Sequence, residues 1–360
     1  MEQHRDTMAM LDLIVQPAFC VNNGAIVGVN KAAAGILIES GCPIDQLLAT
    51  GHAEYSEFTE GCLYLTLRLS GGTYGASVVR MSGFDIFVLE DETDHAELKA
   101  MALAAQNLRE PLSSVMTMAS SLQATVENAD DPAATDQMAR LNRGLFQMLR
   151  ILGNMSDADR YWSTSLSRME SKDIRAFLGE LFERLSVMTG HAGIDLRFSN
   201  LHESLYCLID SEKLERAIYN IFSNAMKFTP QGGYIEGKLS RRENRLYLTI
   251  QDSGTGIPEN QRSSVYSRFL RQPGLDDSRQ GIGLGMVLIR SAATAHGGTV
   301  LIEQPKDQGL RLTLTIEIRQ NRDGLIRSRG LQVDYAGEWD HSLIELSESI
   351  PASVYAEQNK

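Results

Sequence analysis

The chain has 360 residues, enough for two or three domains at the usual ~150 residues each, so small disulfide-framed folds are excluded. Hydrophobic residues make up 43% and charged residues 22%, the balance of a folded chain rather than a disordered one. The formal net charge of −12 disfavours a general affinity for polyanions, and no apolar run reaches the ~20 residues of a membrane span. Neither a nucleic-acid partner nor a membrane span is therefore expected. Cys20, Cys42, Cys62 and Cys207 show no C-x-x-C spacing and read as reduced thiols in a core. The opening Met-Glu-Gln-His-Arg-Asp lacks the pattern of a signal peptide, so the expected location is the cytoplasm.

Within a first domain expected over 1–92, short β-like runs separated by turn signals occupy residues from about 8 to 92. Asn22-Asn23-Gly24 joins the apolar runs 18–21 and 25–29 and marks a hairpin. Residues 30–38 have helical spacing, and 63–69, 76–79 and 84–89 read as three further strands. The order of hairpin, short helices and three-stranded meander resembles a PAS sensor domain, with the run GAIVGVNKAAAGIL standing at that family's second strand and following helix.

Residues 93–165 change period. Leu98, Met101, Ala105, Leu108, Leu112, Val115, Ala119, Leu122 and Val126 follow one another at alternating steps of three and four, which predicts a long helix with a partner-facing seam. After the polar break 127–132, the same steps recur at Met138, Leu141, Leu145, Met148, Leu152 and Met155, predicting a second helix antiparallel to the first. A two-helix hairpin is thin, and pairing with another copy into a four-helix bundle covers its seam.

From about residue 172 to 318 the pattern is mixed. Amphipathic helices are predicted over 174–188 and 214–228, and strands over 195–198, 205–209, 234–239, 245–251, 299–303 and 310–318. The remaining 319–360 form a more polar tail with apolar islands at 343–346 and 350–355.

Three small motifs stand in the mixed region. Asn220 and Asn224 lie four apart on one helix face, with Lys227 near the next turn. Asp252-Ser-Gly254-Thr-Gly256-Ile-Pro follows a strand, and Gly281-Ile-Gly283-Leu-Gly285 opens an apolar helix. Each is weak alone. Together, in the runs NIFSNAMKFTPQGG, DSGTGIP, RFLRQ, GIGLGMVLI and AHGG, they resemble the nucleotide-binding domain of the histidine-kinase, gyrase, Hsp90 and MutL ATPases, the histidine-kinase branch above all.

The resemblance implies ATP and Mg²⁺ as ligands. Asp252 would accept a hydrogen bond from the exocyclic amino group of adenine, which guanine lacks at that position. Gly254 and Gly256 would let backbone approach the base, and Asn224 would offer Mg²⁺ a neutral oxygen. Asn220 and Lys227 would help hold the triphosphate, and Gly281, Gly283 and Gly285 would present N–H donors at a helix start. Residues 271–280 stand where the family has a mobile lid. Asn220 also occupies the position at which gyrase-like and Hsp90-like members carry a water-activating glutamate, which argues against a resting ATPase.

The sequence departs from the family at its phosphoacceptor box, whose form is H-E-x-R-T-P-L. Here the stretch reads Gln106-Asn107-Leu-Arg-Glu110-Pro-Leu112. Glutamine has no nucleophilic ring nitrogen, and asparagine is no general base. His95 sits on the same helical face but about 16 Å away along the axis and reads as a solvated helix-start residue. His296, in Ala-His-Gly-Gly, reads as structural.

The expected fold is multidomain α+β: a PAS-like domain, an antiparallel helix hairpin forming a dimeric four-helix bundle, and an α/β sandwich that binds ATP. The resemblance implies a two-component sensor histidine kinase-like protein. Its γ-phosphoryl acceptor would be a response regulator or another protein, and it would pair with itself or a related kinase. The alternative is a catalytically silent ATP-binding pseudokinase that signals by conformation or heterodimerisation.

Overall fold

A computed structural model describes residues 11–36, 38, 40–81, 83–90, 92–162, 168–256, 284–305, 309–320 and 340–356. The Asn23-Gly24 hairpin forms as its sequence dictates: both residues take positive φ, 50° and 77°, and join β1 (Ala18–Asn22) to β2 (Ala25–Val29). The helical spacing after β2 yields only one 3₁₀ turn, Ala32–Gly35. Its entry residue Lys31 supplies no side-chain cap. Asn30 is spent instead on tying the segment down: its Oδ1 accepts from the N–H of Ala18 and of Ala33, and its Nδ2 donates to the carbonyls of Ile14 and Gln16.

A short helix, α1 (His52–Glu57), precedes the meander β3 (Cys62–Leu69), β4 (Gly72–Met81) and β5 (Phe84–Leu89). Phe19, stacked on Phe87 at 4.7 Å, centres a core with Leu63, Leu65 and Val78. Beside it Asp85 accepts from Tyr55 Oη at 2.6 Å and pairs with Arg80, whose guanidinium also donates to the Phe58 carbonyl.

Two long helices follow, α2 (Glu92–Asn128) and α3 (Pro132–Trp162), packed as a hairpin. The apolar stripe read from the sequence divides in two. Ala105, Leu112 and Ala119 of α2 are buried, as are Met138, Leu145 and Leu152 of α3. The alternate members Leu108, Val115, Leu122, Leu141 and Met148 are each more than two-fifths exposed. One half of the stripe therefore closes the hairpin, while the other half is left on its outside.

The third part begins at β6 (Glu170–Asp173) and continues through α4 (Ile174–His191), β7 (Asp195–Ser199), β8 (Tyr206–Ile209) and α5 (Ser211–Phe228). It then runs through β9 (Tyr234–Arg242), β10 (Arg245–Asp252), α6 (Leu284–Ala295), β11 (Val300–Glu303) and β12 (Arg311–Glu317). Asp173 and Asp210 start α4 and α5 by accepting from the N–H groups of Arg175 and Lys213. Alternating burial along β9 and β10 turns one face of the sheet toward α4, α5 and α6, where Leu178, Phe182, Ile218, Phe222 and Ile289 pack.

The N-terminal and third parts share one sheet of ten strands, in the order β2-β1-β5-β4-β3-β11-β12-β10-β9-β7. Among the described residues only β7 and β9 run parallel within it. At the junction β3 pairs with β11, Tyr64 opposite Val300 and Cys62 opposite Ile302. Side chains reinforce the seam. Tyr64 Oη shares a hydrogen bond with Thr294 Oγ1 at 3.1 Å, Arg290 lies over the Tyr64 ring, and Arg245 pairs with the buried Glu54 at 3.4 Å.

The apolar islands of the tail form α7 (His341–Glu345) and a 3₁₀ turn, Ala352–Ala356, both lying against α3. All four cysteines are free, and burial pushes the Cys62 and Cys207 thiols up to about 11, as suits core residues. No helix among the described residues is long and apolar enough to cross a membrane.

Candidate nucleotide-binding site

Three elements bring the sequence-predicted residues together. The C-terminal half of α5 carries Asn220, Asn224 and Lys227, the end of β10 carries Asp252, and the first turn of α6 carries Gly285. Helices α5 and α6 pack side by side. Gly281, Gly283 and the lid stretch 271–280 lie outside the described residues.

Asp252 is buried at 6% exposure and fixed by backbone. Its Oδ1 accepts from the Gly254 N–H at 2.8 Å and its Oδ2 from the Leu310 N–H at 3.2 Å. Burial raises its pKa above the ordinary carboxylate value, against the opposing pull of these donors. Each carboxylate oxygen keeps a further lone pair for an incoming donor.

Gly254 is where it is because nothing larger fits. A Cβ there would lie 2.5 Å from the Phe228 carbonyl oxygen and 2.8 Å from Asp252 Oδ1. Gly256, at φ +64°, takes the left-handed conformation that closes the turn.

Asn220 is wholly buried, and its Nδ2 donates to the Arg216 carbonyl one turn back at 2.9 Å. Its Oδ1 faces α6, where a Cβ on Gly285 would come within 2.8 Å of it. Asn220 thus sets how closely the start of α6 approaches α5. Asn224 and Lys227 are exposed on the same helix, where side-chain oxygen and ammonium are accessible to a ligand.

Among the described residues no group of three or more His, Cys, Asp or Glu could hold a metal ion. A neutral amide such as Asn224 suits Mg²⁺ only when phosphate oxygens and water complete the shell, which fits a metal arriving with a nucleotide.

The sequence reading did not single out Gly309 and Leu310. The Leu310 N–H holds Asp252 Oδ2, and a side chain at Gly309 would run into the Asp252 carbonyl. The signal available was a lone glycine opening the last strand. His296 is structural: its Nε2 accepts from the Asp210 N–H at 3.0 Å, and its Nδ1 lies 2.7 Å from the Ala292 carbonyl. Burial holds its pKa below the usual histidine value.

Residues 209–320, which span α5 to the end of β12, match the family of histidine kinase-, DNA gyrase B- and HSP90-like ATPases. Over a longer stretch the chain is similar to sensor histidine kinases. It is 28% identical over 244 residues to hybrid signal transduction histidine kinase D of Dictyostelium discoideum, covering 64% of this chain and 15% of that one. It is 27% identical over 252 residues to sensor histidine kinase WalK of Bacillus subtilis, covering 65% of this chain and 39% of that one. The match therefore spans well under half the length of either relative. The crystal structure of full-length ShkA in complex with AMPPNP is 21% identical, covering 62% of this chain and 46% of that one, at a TM-score of 0.48.

Proposed function

We propose that the chain is a nucleotide-binding member of two-component signalling that takes ATP with Mg²⁺ through Asn220, Asn224, Lys227, Asp252 and the glycines at 254, 256, 281, 283 and 285. The observation that carries this reading is the buried Asp252 carboxylate. It is fixed at the end of β10 by two backbone donors, inside the region that matches the ATPase family. Asp252 reads the adenine amino group, the start of α6 receives phosphate, and Asn224 reaches a phosphate-bound Mg²⁺.

The same proposal divides the chain into a PAS-like sensor (1–92), a dimerisation hairpin (93–165), an ATP-binding domain (172–318) and a tail (319–360). The strand order β2-β1-β5-β4-β3, with short helices between β2 and β3, supports the sensor reading. The exposed half of the hairpin stripe supports pairing with a second copy or a related kinase.

Whether a phosphoryl group is then transferred turns on Gln106 and Asn107. Both are exposed on α2. That placement suits an acceptor site, but their chemistry does not. The pseudokinase reading, in which nucleotide binding acts through conformation, is favoured for that reason. A response regulator or other phosphoacceptor protein remains the partner in the active reading.

Calorimetry with ATP, GTP and Mg²⁺ tests the proposal. Binding of ATP in preference to GTP is the expected result, and absence of any adenine-nucleotide binding overturns it.

A further inference from the structure

The C-terminal segment 340–356 holds more of the molecule together than its length suggests. A five-residue helix such as α7 has no stability of its own in water. Here Ile344, Leu346, Ile350 and Tyr355 are at most 1% exposed. The Tyr355 ring lies 5.2 Å from that of Phe146 on α3, and its hydroxyl closes back onto the Leu343 carbonyl.

Polar hooks reach the segment from both sides. On the hairpin side, Arg143 donates to the carbonyls of Ser347 and Glu348 at 2.9 and 2.8 Å, and Gln147 also donates to Ser347. These carbonyls follow the C-terminal end of α7, where acceptors lack intrahelical partners and a cation is favoured. Asn142 donates to the Tyr355 carbonyl and Gln123 of α2 to that of Ala356. On the other side, Ser349 donates to the Ser223 carbonyl of α5.

Between the two sides lies a buried charge network. Arg216 of α5 pairs with Asp157 of α3 at 2.6 Å and donates to Asn154 at 2.7 Å. The fully buried Glu345 stands between Arg216 at 3.6 Å and Arg150 of α3 at 3.7 Å. Arg150 also pairs with Glu348 at 3.0 Å. Charges this deep are tolerated only while every partner stays in place. Arg216 is the residue whose carbonyl holds Asn220, so the network ends one turn from the candidate site.

We propose that the outer face of α3 is an intramolecular docking site whose occupant is the chain's own segment 340–356, and that the docked segment straps the ATP-binding part to the helix hairpin. While it is docked, α3 and α5 move as one body. Once it is released, only the direct contacts of α3 with α5 and α6, Arg216–Asp157 among them, still join the two parts, and their relative position changes more readily. The strap stands on contacts within the chain and does not require that nucleotide binds.

Hydrogen exchange of the full chain tests this, using R143A/Q147A and, separately, E345Q. Arg143 and Gln147 are half-exposed and outside the buried hairpin seam, so the double variant removes hooks without opening a core. The expected result is exchange about tenfold faster in residues 341–356, in 143–157 of α3 and in α5 alike, with β1 and β5 unchanged. Acceleration confined to 341–356 overturns the proposal, because the hairpin contact then stands without the strap. So does no change in either variant. Loss of protection throughout the chain in R143A/Q147A overturns it as well, since the segment is then part of the folding core rather than a strap.

Discussion

Asp252 combines two properties that are separately measurable. Its carboxylate is the acceptor proposed for adenine, so Asp252→Ala should weaken ATP binding by about 1–3 kcal/mol, read by calorimetry. Because burial raises its pKa, protonation begins at a higher pH than for an ordinary aspartate, and the protonated acid loses the charge that strengthens the bond. ATP affinity of the wild type should therefore fall as pH is lowered through the raised value, and Asp252→Asn should flatten that fall. His296 gives the corresponding test on stability. The unfolded chain takes up a proton near the usual histidine value of about 6.5, while the buried imidazole resists it until lower pH. Its contribution is fully present above that unfolded value and is lost as pH falls toward the folded one. Denaturant unfolding between about pH 7.5 and 5 should show this decline, and His296→Leu should reduce its slope while lowering stability at neutral pH, since the Asp210 N–H loses its acceptor.

At the level of elements, the split of the heptad stripe separates two events that one substitution would otherwise mix. Leu112 lies in the buried half, so Leu112→Lys should unfold the hairpin itself. Val115 and Leu122 lie in the exposed half, so Val115→Lys should leave the helices intact by circular dichroism yet shift sedimentation from dimer to monomer. A wild type that sediments as a monomer at micromolar concentration, with no related partner, would remove the basis for that expectation. The helices and most strands were legible because their periods are long or their turns strongly marked: the Asn23-Gly24 hairpin, the stripe 98–126 and the amphipathic α5. Less legible was whatever depends on neighbours distant in sequence. Periodicity cannot divide a stripe into an inner and an outer half, since both halves have the same spacing. Nor could composition reveal that β3 would pair with β11, or that Leu310 would hold Asp252, because each contact is made by a backbone N–H or C=O that every residue carries. Of residues 30–38, the described ones hold only the short turn Ala32–Gly35, where Asn30 divides its side chain between Ala33 and the preceding Ala18, Ile14 and Gln16.

For the whole molecule, the proposed nucleotide site, the hairpin and the N-terminal sheet are bound into one assembly by the β3–β11 seam and the Arg216 network. Replacing Arg216 by alanine removes the buried cation beside Asp157 and leaves Glu345 with Arg150 as its paired cation. It should cost about 3–5 kcal/mol of stability, read from denaturant unfolding, with no charge change at the solvent-facing surface to confuse the result. Phosphotransfer requires more than this rigidity: a nucleophile at the acceptor position and a carboxylate to orient it. Gln106 and Asn107 are both exposed on α2, so exchanging them disturbs no packing. The wild type incubated with labelled ATP and Mg²⁺ should acquire no acid-labile, base-stable label. Gln106→His together with Asn107→Glu should acquire some, because the imidazole nitrogen and its carboxylate return together. Strong histidine labelling of the wild type, with His95 the first position to map, would refute the pseudokinase reading. A restored variant that binds ATP and dimerises yet stays unlabelled would show that the nucleotide domain no longer delivers phosphate to α2, and the active-kinase reading would fall instead.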